Sequence, residues 1–533
     1  MPLRAGSIST GIWKYICCLI AAICTVGLIN PAHGLGASDR TTRIIALPTT
    51  EMGATESERT ELRSIYEGSG HALIWASTWR QLVLVKLLAS LESDGIDLDL
   101  LGASADTEVL SQARGDVLAT RTVLRAAHII AAGAVKPESI PGWSLDPPNA
   151  PIVAVFLDAM RNNHLETLFD SLRPATSAYR DLRLAYVRYL HLEVEAWPPL
   201  DTSTEVRVDT NDARAAEIIR RLTLLGDLRE GETSNSVVTN AVKRFQNRHG
   251  LTVDGRIGSA TLAAFNVPPA ARAEQIAANL EYWRLLPRIW PKRFVSVNTA
   301  AAELELISEG EATYTSRVIV GDSKHPTPVI AAKIHSVTFN PSWTIPYSIA
   351  SKEILPRLRR EPDYLQRNNI QILGRPGDPY GLQIDWRLYS RAAFPFQLRQ
   401  TPGPHNALGL IKFEMPNDFD VYLHDTPDKS LFAKSSRALS HGCVRVECAN
   451  ELAQRVIDNP SIWLQSDLAA ALTDGRTVTV PLTQSLPVYF LYFTTYTDDE
   501  GVLNFRQDVY GRDRAVDAAV HALSSRDPTA AGF

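Results

Sequence analysis

The hydrophobic period of the chain changes near residue 293, and this change constrains the fold more than any other feature. Before it, apolar residues recur at helical spacing. Leu84, Leu87, Leu88 and Leu91 fall on one face, and Val117 to Ala132 forms a second helical run. After it, Phe294-Val295-Ser296-Val297-Asn298, Ala302-Glu303-Leu304-Glu305-Leu306 and Tyr314 to Val320 alternate as half-buried strands do. Glu309-Gly310 supplies a hairpin turn between the second and third of these. With 533 residues, enough for roughly three domains, the pattern predicts a multidomain α+β protein.

The helical part divides further. Residues 35–65 are polar and aperiodic and read as a flexible lead-in, and residues 66–205 read as a helical scaffold. Pro147, Pro148 and Pro151 precede helices near 152–161 and 175–194, and Pro198 and Pro199 open a linker. A three-helix unit follows at 211–268. Its first helix carries Ala215, Ile218, Ile219, Leu222 and Leu225, and its second runs from Val237 to His249. Asp254-Gly255 suits a tight turn, and Ser259 is the expected cap of the third helix. A helical connector, Ala273 to Leu286, leads to a β-rich domain at 293–485. A helical, Pro- and Arg-rich insertion at about 343–400 interrupts that domain, and an insertion of this kind beside a site is often a lid. Strands return at Leu410 to Glu414 and Val421 to His424. Residues 486–533 read as a hairpin, Val488 to Thr495 with Val502 to Arg506, and a tail.

Residues 1–34 have the pattern of a secretory signal. Arg4 and Lys14 precede an apolar run from Tyr15 to Ile29, and Ala32-His33-Gly34 offers a small-x-small site. The alternative is an uncleaved anchor, for which about 15 apolar residues are marginal against ~30 Å of hydrocarbon. Cys17, Cys18 and Cys24 lie inside this segment, so only Cys443 and Cys448 belong to the exported chain. An exported protein of this size with one closely spaced pair is not a disulfide scaffold. The net charge of −5 argues against a nucleic-acid binder that works by bulk electrostatics.

The chemistry concentrates in VYLHDTPDKSLFAKSSRALSHGCVRV, residues 421–446. A free cysteine is only about 3% thiolate at neutral pH and needs a neighbouring base. His424 ends a predicted strand, whereas His441 lies two residues from Cys443, a spacing often poorly aimed at the sulfur. His424 is therefore the better base, and His441 is expected to position the loop. Gly442, lacking a side chain, would let an acyl carbonyl approach the N–H groups around Gly442 and Cys443. Arg445 is suited to holding the loop or receiving a carboxylate. Tyr422 shares a strand face with His424, and Ser440 completes the loop motif. On spacing alone three readings stand: a catalytic thiol, a packed cysteine, and a zinc site of His424, His441, Cys443 and Cys448. The H-G-C-x4-C spacing is not a common zinc spacing.

The pattern His-x15-Ser-His-Gly-Cys-x-Arg closely resembles the signature of the YkuD-type L,D-transpeptidases, in particular their large YcbB-like branch. Similar blocks are Val318-Ile319-Val320-Gly321, FNPSWTIPYSIASKEILPRLRR from 339, LRQTPGPHNALGLIKF from 398, and PVYFLYFTTYTDDEGVLNFRQDVYGRD near the end. AVKRFQNRHGLTVDGRIGSATLAAFN within 211–268 resembles a peptidoglycan-binding domain. The resemblance covers most of the chain after residue 34, is most specific at 424–446 and is loosest before about 175. His405 departs from the Asn expected there.

The resemblance implies a mainly β YkuD-type catalytic domain with a helical capping insertion, preceded by the scaffold and the binding domain. It implies an exported, periplasmic or cell-envelope enzyme with no metal or cofactor. Cys443 would attack the third stem residue of a peptidoglycan tetrapeptide and release D-alanine, and a second stem would resolve the thioester. Stem tetrapeptides would be donor and acceptor, carbapenems would acylate the thiol, and no nucleic acid is involved. The alternatives are an L,D-carboxypeptidase using water, or a non-catalytic wall-binding scaffold. Cys448 lies outside the motif, and a disulfide with Cys443 would be inhibitory.

Overall fold

The computed structural model describes residues 54–101, 112–207, 212–457 and 465–524. The signal-like segment and most of the lead-in lie outside the described residues. The chain divides into two compact units. One takes residues up to Pro141, Leu145–Ile289 and those from Phe493 on; the other takes Gly142–Ser144 and Trp290–Tyr492.

The first unit is helical, and its first described helix, Glu56–Gly68, corrects the expectation of a flexible lead-in to residue 65. Thr55 and Glu58 form a reciprocal capping box, satisfying two orphan N–H groups at the helix start. The helix then buries Leu62, Ile65 and Tyr66. The Thr-x-x-Glu signal was present in the sequence ahead of that apolar face. Helices Thr78–Ser90, Ala113–Ala132 and Ile152–Arg161 complete this core. The three-helix unit consists of Ala213–Leu225, Asn235–Arg248 and Ser259–Phe265. Gly258 rather than Ser259 is the cap of its third helix, so Ser259 is the first helical residue. The expected linker also shifts. Leu200 and Val206 pack into the three-helix core, and Asn266 exchanges two hydrogen bonds with the Leu200 backbone.

A third cluster packs Tyr179, Leu182, Tyr186 and Tyr189 of helix Ser177–Leu192 against Ile276 and Leu280 of helix Pro269–Arg284. Beside it, the Asp513 carboxyl accepts hydrogen bonds from Tyr282 (2.9 Å) and Thr494 (2.6 Å). Burial, aided by Asp508, pushes its pKa up to about 7. The folded protein thus keeps a proton that the unfolded chain has already released. Stability from this group is full below about pH 4 and falls as pH rises to about 7, by up to roughly 1.4 kcal/mol per unit. Asp513→Asn is expected to melt higher than the parent at pH 8, with the gap closing towards pH 4. An equal gap at both pH values would refute a buried proton here.

Among the described residues the second unit contains twelve strands: β1 Arg293–Asn298, β2 Glu303–Ser308, β3 Glu311–Gly321, β4 Ile330–Phe339, β5 Trp343–Thr344, β6 Ile370–Ile372, β7 Leu398–Gln400, β8 Ile411–Glu414, β9 Leu423–His424, β10 Ala438–Ser440, β11 Val444–Val446 and β12 Val478–Leu491. Nine of them form one mixed sheet in the order β10-β3-β11-β9-β8-β4-β12-β1-β2. Since β2 also pairs with β3, the pairings from β3 round to β2 close into a ring. Val297, Leu304, Val320, Ile334, Phe413, Leu423 and Val444 fill its core.

Two expectations change in this unit. Val488 to Leu491 does not belong to a C-terminal hairpin: it ends β12, pairing with β4 and in parallel with β1. The boundary expected at 485/486 therefore cuts a strand, because its partners lie far away in sequence. The hairpin is Thr495–Thr497 with Leu503–Phe505. The capping insertion is not purely helical either. It contains the antiparallel sheet β5-β7-β6, whose two- and three-residue strands are too short to show alternation.

Candidate active site

β9 and β11 lie side by side in parallel, with Leu423 opposite Val444 and His424 opposite Arg445. Leu423, Val444 and Val446 turn into the core. Period two then sends His424 and Arg445 to the other face, and Tyr422 and Cys443, each just before its strand, lie beside one another and near His424. The 421–446 motif is thus folded so that its two ends become neighbours.

The turn before β9 is held by Asn417, whose amide donates to the Met415 and Val421 carbonyls and accepts from the Phe419 and Val421 N–H groups. Asp420 follows at φ 52°, and its carbonyl lies 3.5 Å from the Cys443 Sγ. Burial pushes the Cys443 thiol up, and hydrogen bonds from the Tyr422 N–H and hydroxyl, with the Lys412 charge, partly offset that rise. Burial and its nearness to Cys443 hold the Tyr422 hydroxyl well above its ordinary range, so it remains a donor. The Trp343 side chain lies beside the same hydroxyl.

His424 is buried and hydrogen-bonded through Nδ1 to the Asp425 carbonyl at 2.5 Å. A carbonyl only accepts, so Nδ1 carries the proton and Nε2 keeps a lone pair. Asp425 is itself fixed by the Leu410 N–H and Lys429. Burial, with Arg445 alongside, pushes the His424 pKa down to about 4. The Tyr422 and His424 ring centres are 5.6 Å apart. The resting thiol donates to the Asp420 carbonyl and has the Tyr422 groups beside it; His424 is not among its partners. Catalytic contacts in ligand-free sites are often longer than in the reacting complex.

The loop between β10 and β11 is pinned from beneath. Ser440 donates to the Cys443 carbonyl at 2.5 Å and accepts the Gly442 N–H at 3.1 Å. Thr327 donates to the Gly442 carbonyl at 2.8 Å and accepts the Gly321 N–H. Gly442 has φ 115°, a backbone conformation L side chains rarely adopt, while an added Cβ would meet only the His325 carbonyl at 3.8 Å. That conformation by itself calls for glycine, and the Gly442 N–H is donated to Ser440. Close approach applies instead at Gly321, where a Cβ would sit 2.0 Å from the His325 carbonyl oxygen. Ser440→Ala would leave two loop groups without their partner. It is expected to destabilise the protein by about 1–3 kcal/mol in urea unfolding. An unchanged midpoint would refute the loop-holding role.

His441 is exposed and bonds through Nε2 to Glu353 in the capping insertion. Arg445 is half-buried, and its Nε has no hydrogen-bond partner. Cys448 lies apart, lining a surface cavity with Glu303, Tyr314, Arg317 and Glu447. Both cysteines are free thiols. Lys412 and Asp420 are the charged neighbours of Cys443, and Glu451, Glu447, Lys429 and Arg317 those of Cys448. The four residues of the zinc alternative do not converge, since His441 faces Glu353 and Cys448 faces its own cavity. Sequence reasoning missed Asn417, Thr327, Trp343, Lys412 and Glu353. Only Asn417, in Asn-Asp-Phe-Asp, carried a local turn signal.

His424 and Arg445 on paired strands, with Cys443 in the conformationally fixed loop just before β11, form an arrangement that suits thiol-dependent acyl transfer. Residues 292–480 match the family described as L,D-transpeptidase catalytic domain. Residues 60–185 match "Scaffold domain", and residues 215–265 match "Putative peptidoglycan binding domain". The chain therefore carries a YkuD L,D-transpeptidase catalytic domain and a peptidoglycan-binding domain. A Haemophilus influenzae protein named "Putative L,D-transpeptidase" is 34% identical over 249 residues, 46% of this chain and 49% of the relative. The chain spans about half the length of the curated relative it matches.

Proposed function

We propose that the protein is an exported peptidoglycan L,D-transpeptidase that joins third-position residues of stem peptides. The observation that carries this reading is the shared face of β9 and β11. It carries His424 and Arg445, with Cys443 immediately before β11, within the matched catalytic domain. The Cys443 sulfur attacks the carbonyl carbon of the third stem residue, and His424 Nε2 takes the thiol proton. The bond to the terminal D-alanine breaks, and that proton leaves with the amine. The side-chain amine of a second stem then attacks the thioester, its proton passes to the sulfur, and Cys443 returns as a thiol.

The Tyr422 hydroxyl and the Cys443 N–H are the donors for the oxyanion, since Gly442's N–H is occupied. The Arg445 guanidinium, with its Nε lacking a partner, suits a stem-peptide carboxylate. The capping insertion limits water at the thioester, favouring transfer over hydrolysis. Carbapenems would acylate the same sulfur, and the three-helix unit would bind peptidoglycan.

Incubating the purified protein with a disaccharide-tetrapeptide and weighing the products by mass spectrometry tests the proposal. A cross-linked dimer lacking one D-alanine is expected. Tripeptide without dimer would move the assignment to an L,D-carboxypeptidase. Neither product would leave only a wall-binding role.

A further inference from the structure

The capping insertion touches the catalytic motif on both sides of Cys443. On one side Trp343, the first residue of β5, lies beside the Tyr422 hydroxyl. On the other, Glu353 Oε1 lies 2.7 Å from His441 Nε2. Glu353 sits in a π-helical turn, Ala350–Ile354, between α-helical turns Tyr347–Ile349 and Leu355–Leu358. A π-turn inserts one extra residue and re-aims the side chains it carries, and such turns concentrate at functional sites. In the same turn the Ser351 hydroxyl is buried without a partner, so this segment is not arranged for hydrogen-bond satisfaction alone.

His441 joins the pinned loop. Its ring centre is 4.9 Å from that of His325, whose carbonyl underlies Gly442 and whose Nδ1 meets Asp322 at 3.0 Å. Asp322 in turn donates its N–H to the Ser440 carbonyl. Gly442, the left-handed residue, separates His441 from Cys443. A shift of His441 therefore turns the peptide that carries the nucleophile.

We propose that Glu353 is a positioning residue: by holding His441 it sets the loop that presents Cys443, making the insertion a component of the site. His441 and Glu353 are each 43% exposed, so their pairing is weak and easily reversed. The proposal rests on the transpeptidase reading for its kinetic arm only.

Two variants of the whole protein test it, Glu353→Ala and Glu353→Gln, by hydrogen–deuterium exchange and tetrapeptide kinetics. Glu353→Ala is expected to speed exchange in 438–446 several-fold and to leave the three-helix unit unchanged. It is expected to lower kcat roughly three- to tenfold with KM within about twofold. Glu353→Gln, whose amide oxygen still accepts from His441, should recover most of both effects. Unchanged exchange in 438–446 would overturn the proposal. So would a raised KM at constant kcat, which would assign the insertion to substrate binding alone. A Gln variant as impaired as Ala would remove the hydrogen bond as the link. If the parent turns over no tetrapeptide, the functional reading falls and the exchange comparison alone decides the role of Glu353.

Discussion

Cys443→Ala is expected to abolish D-alanine release and dimer formation, a loss of more than about 10³-fold, and to end covalent labelling by a carbapenem. The variant should remain folded. The contacts that hold this loop, from Ser440 and Thr327, go to the backbone carbonyls of Cys443 and Gly442, and alanine keeps both. The thiol itself has few close partners to lose: the Tyr422 groups and the Asp420 carbonyl. Melting temperature should therefore stay close to the parent's while turnover vanishes. Intact-mass spectrometry makes the labelling readout unambiguous, because Cys448 remains as an internal control. D-alanine release persisting in a folded Cys443→Ala variant would sink the assignment of the nucleophile.

His424→Asn is expected to lower kcat by roughly 10²–10⁴-fold with a smaller change in KM. Asparagine can still donate towards the Asp425 carbonyl but has no basic nitrogen for the thiol. The pH profile adds a sharper check. The base must be neutral to take a proton. Burial and the Arg445 charge hold the His424 pKa down to about 4, so imidazole is neutral throughout the physiological range. Parent kcat/KM should accordingly lose its His424-dependent part only as pH falls towards about 4. The thiol is meanwhile pushed up by burial, so the resting pair is neutral rather than a thiolate–imidazolium pair. Proton transfer then accompanies attack instead of preceding it. Arg445→Gln removes a repelling charge and should move this acid limb to higher pH. An acid limb near 6.5 in the parent, unmoved by Arg445→Gln, would mean that His424 is not the titrating base.

Much of the molecule was legible in its sequence. Alternation located β1 to β3 and helical spacing located most helices, because each pattern depends on neighbours within one element. Glu309 and Gly310, with φ 50° and 89°, form the turn expected between β2 and β3. Failures occurred where the deciding partner was distant or the element very short. Val488 to Leu491 looked like half of a local hairpin but pairs with Val295 to Asn298, nearly two hundred residues earlier. β5, β6 and β7 are too short for any period. The lead-in is a different case: Thr55 and Glu58 did announce a helix, and the polar residues around them obscured it.

The site divides in the same way. The sequence alone determined which functional groups are available, because His424, Ser440, His441, Gly442, Cys443 and Arg445 lie within one short segment. It also singled out Gly442 for its missing side chain, whereas the φ of 115° belongs to the folded loop. Only the tertiary structure decided that Tyr422 meets the resting thiol, that Ser440 occupies the Gly442 N–H, and that Thr327 and Glu353 join the loop. Thr327 is 115 positions from Gly442, and Glu353 is 88 from His441. Local patterning records periodicity and short-range capping. Contacts across such separations arise only when the sheet closes and the insertion folds back, so no local pattern could have encoded them.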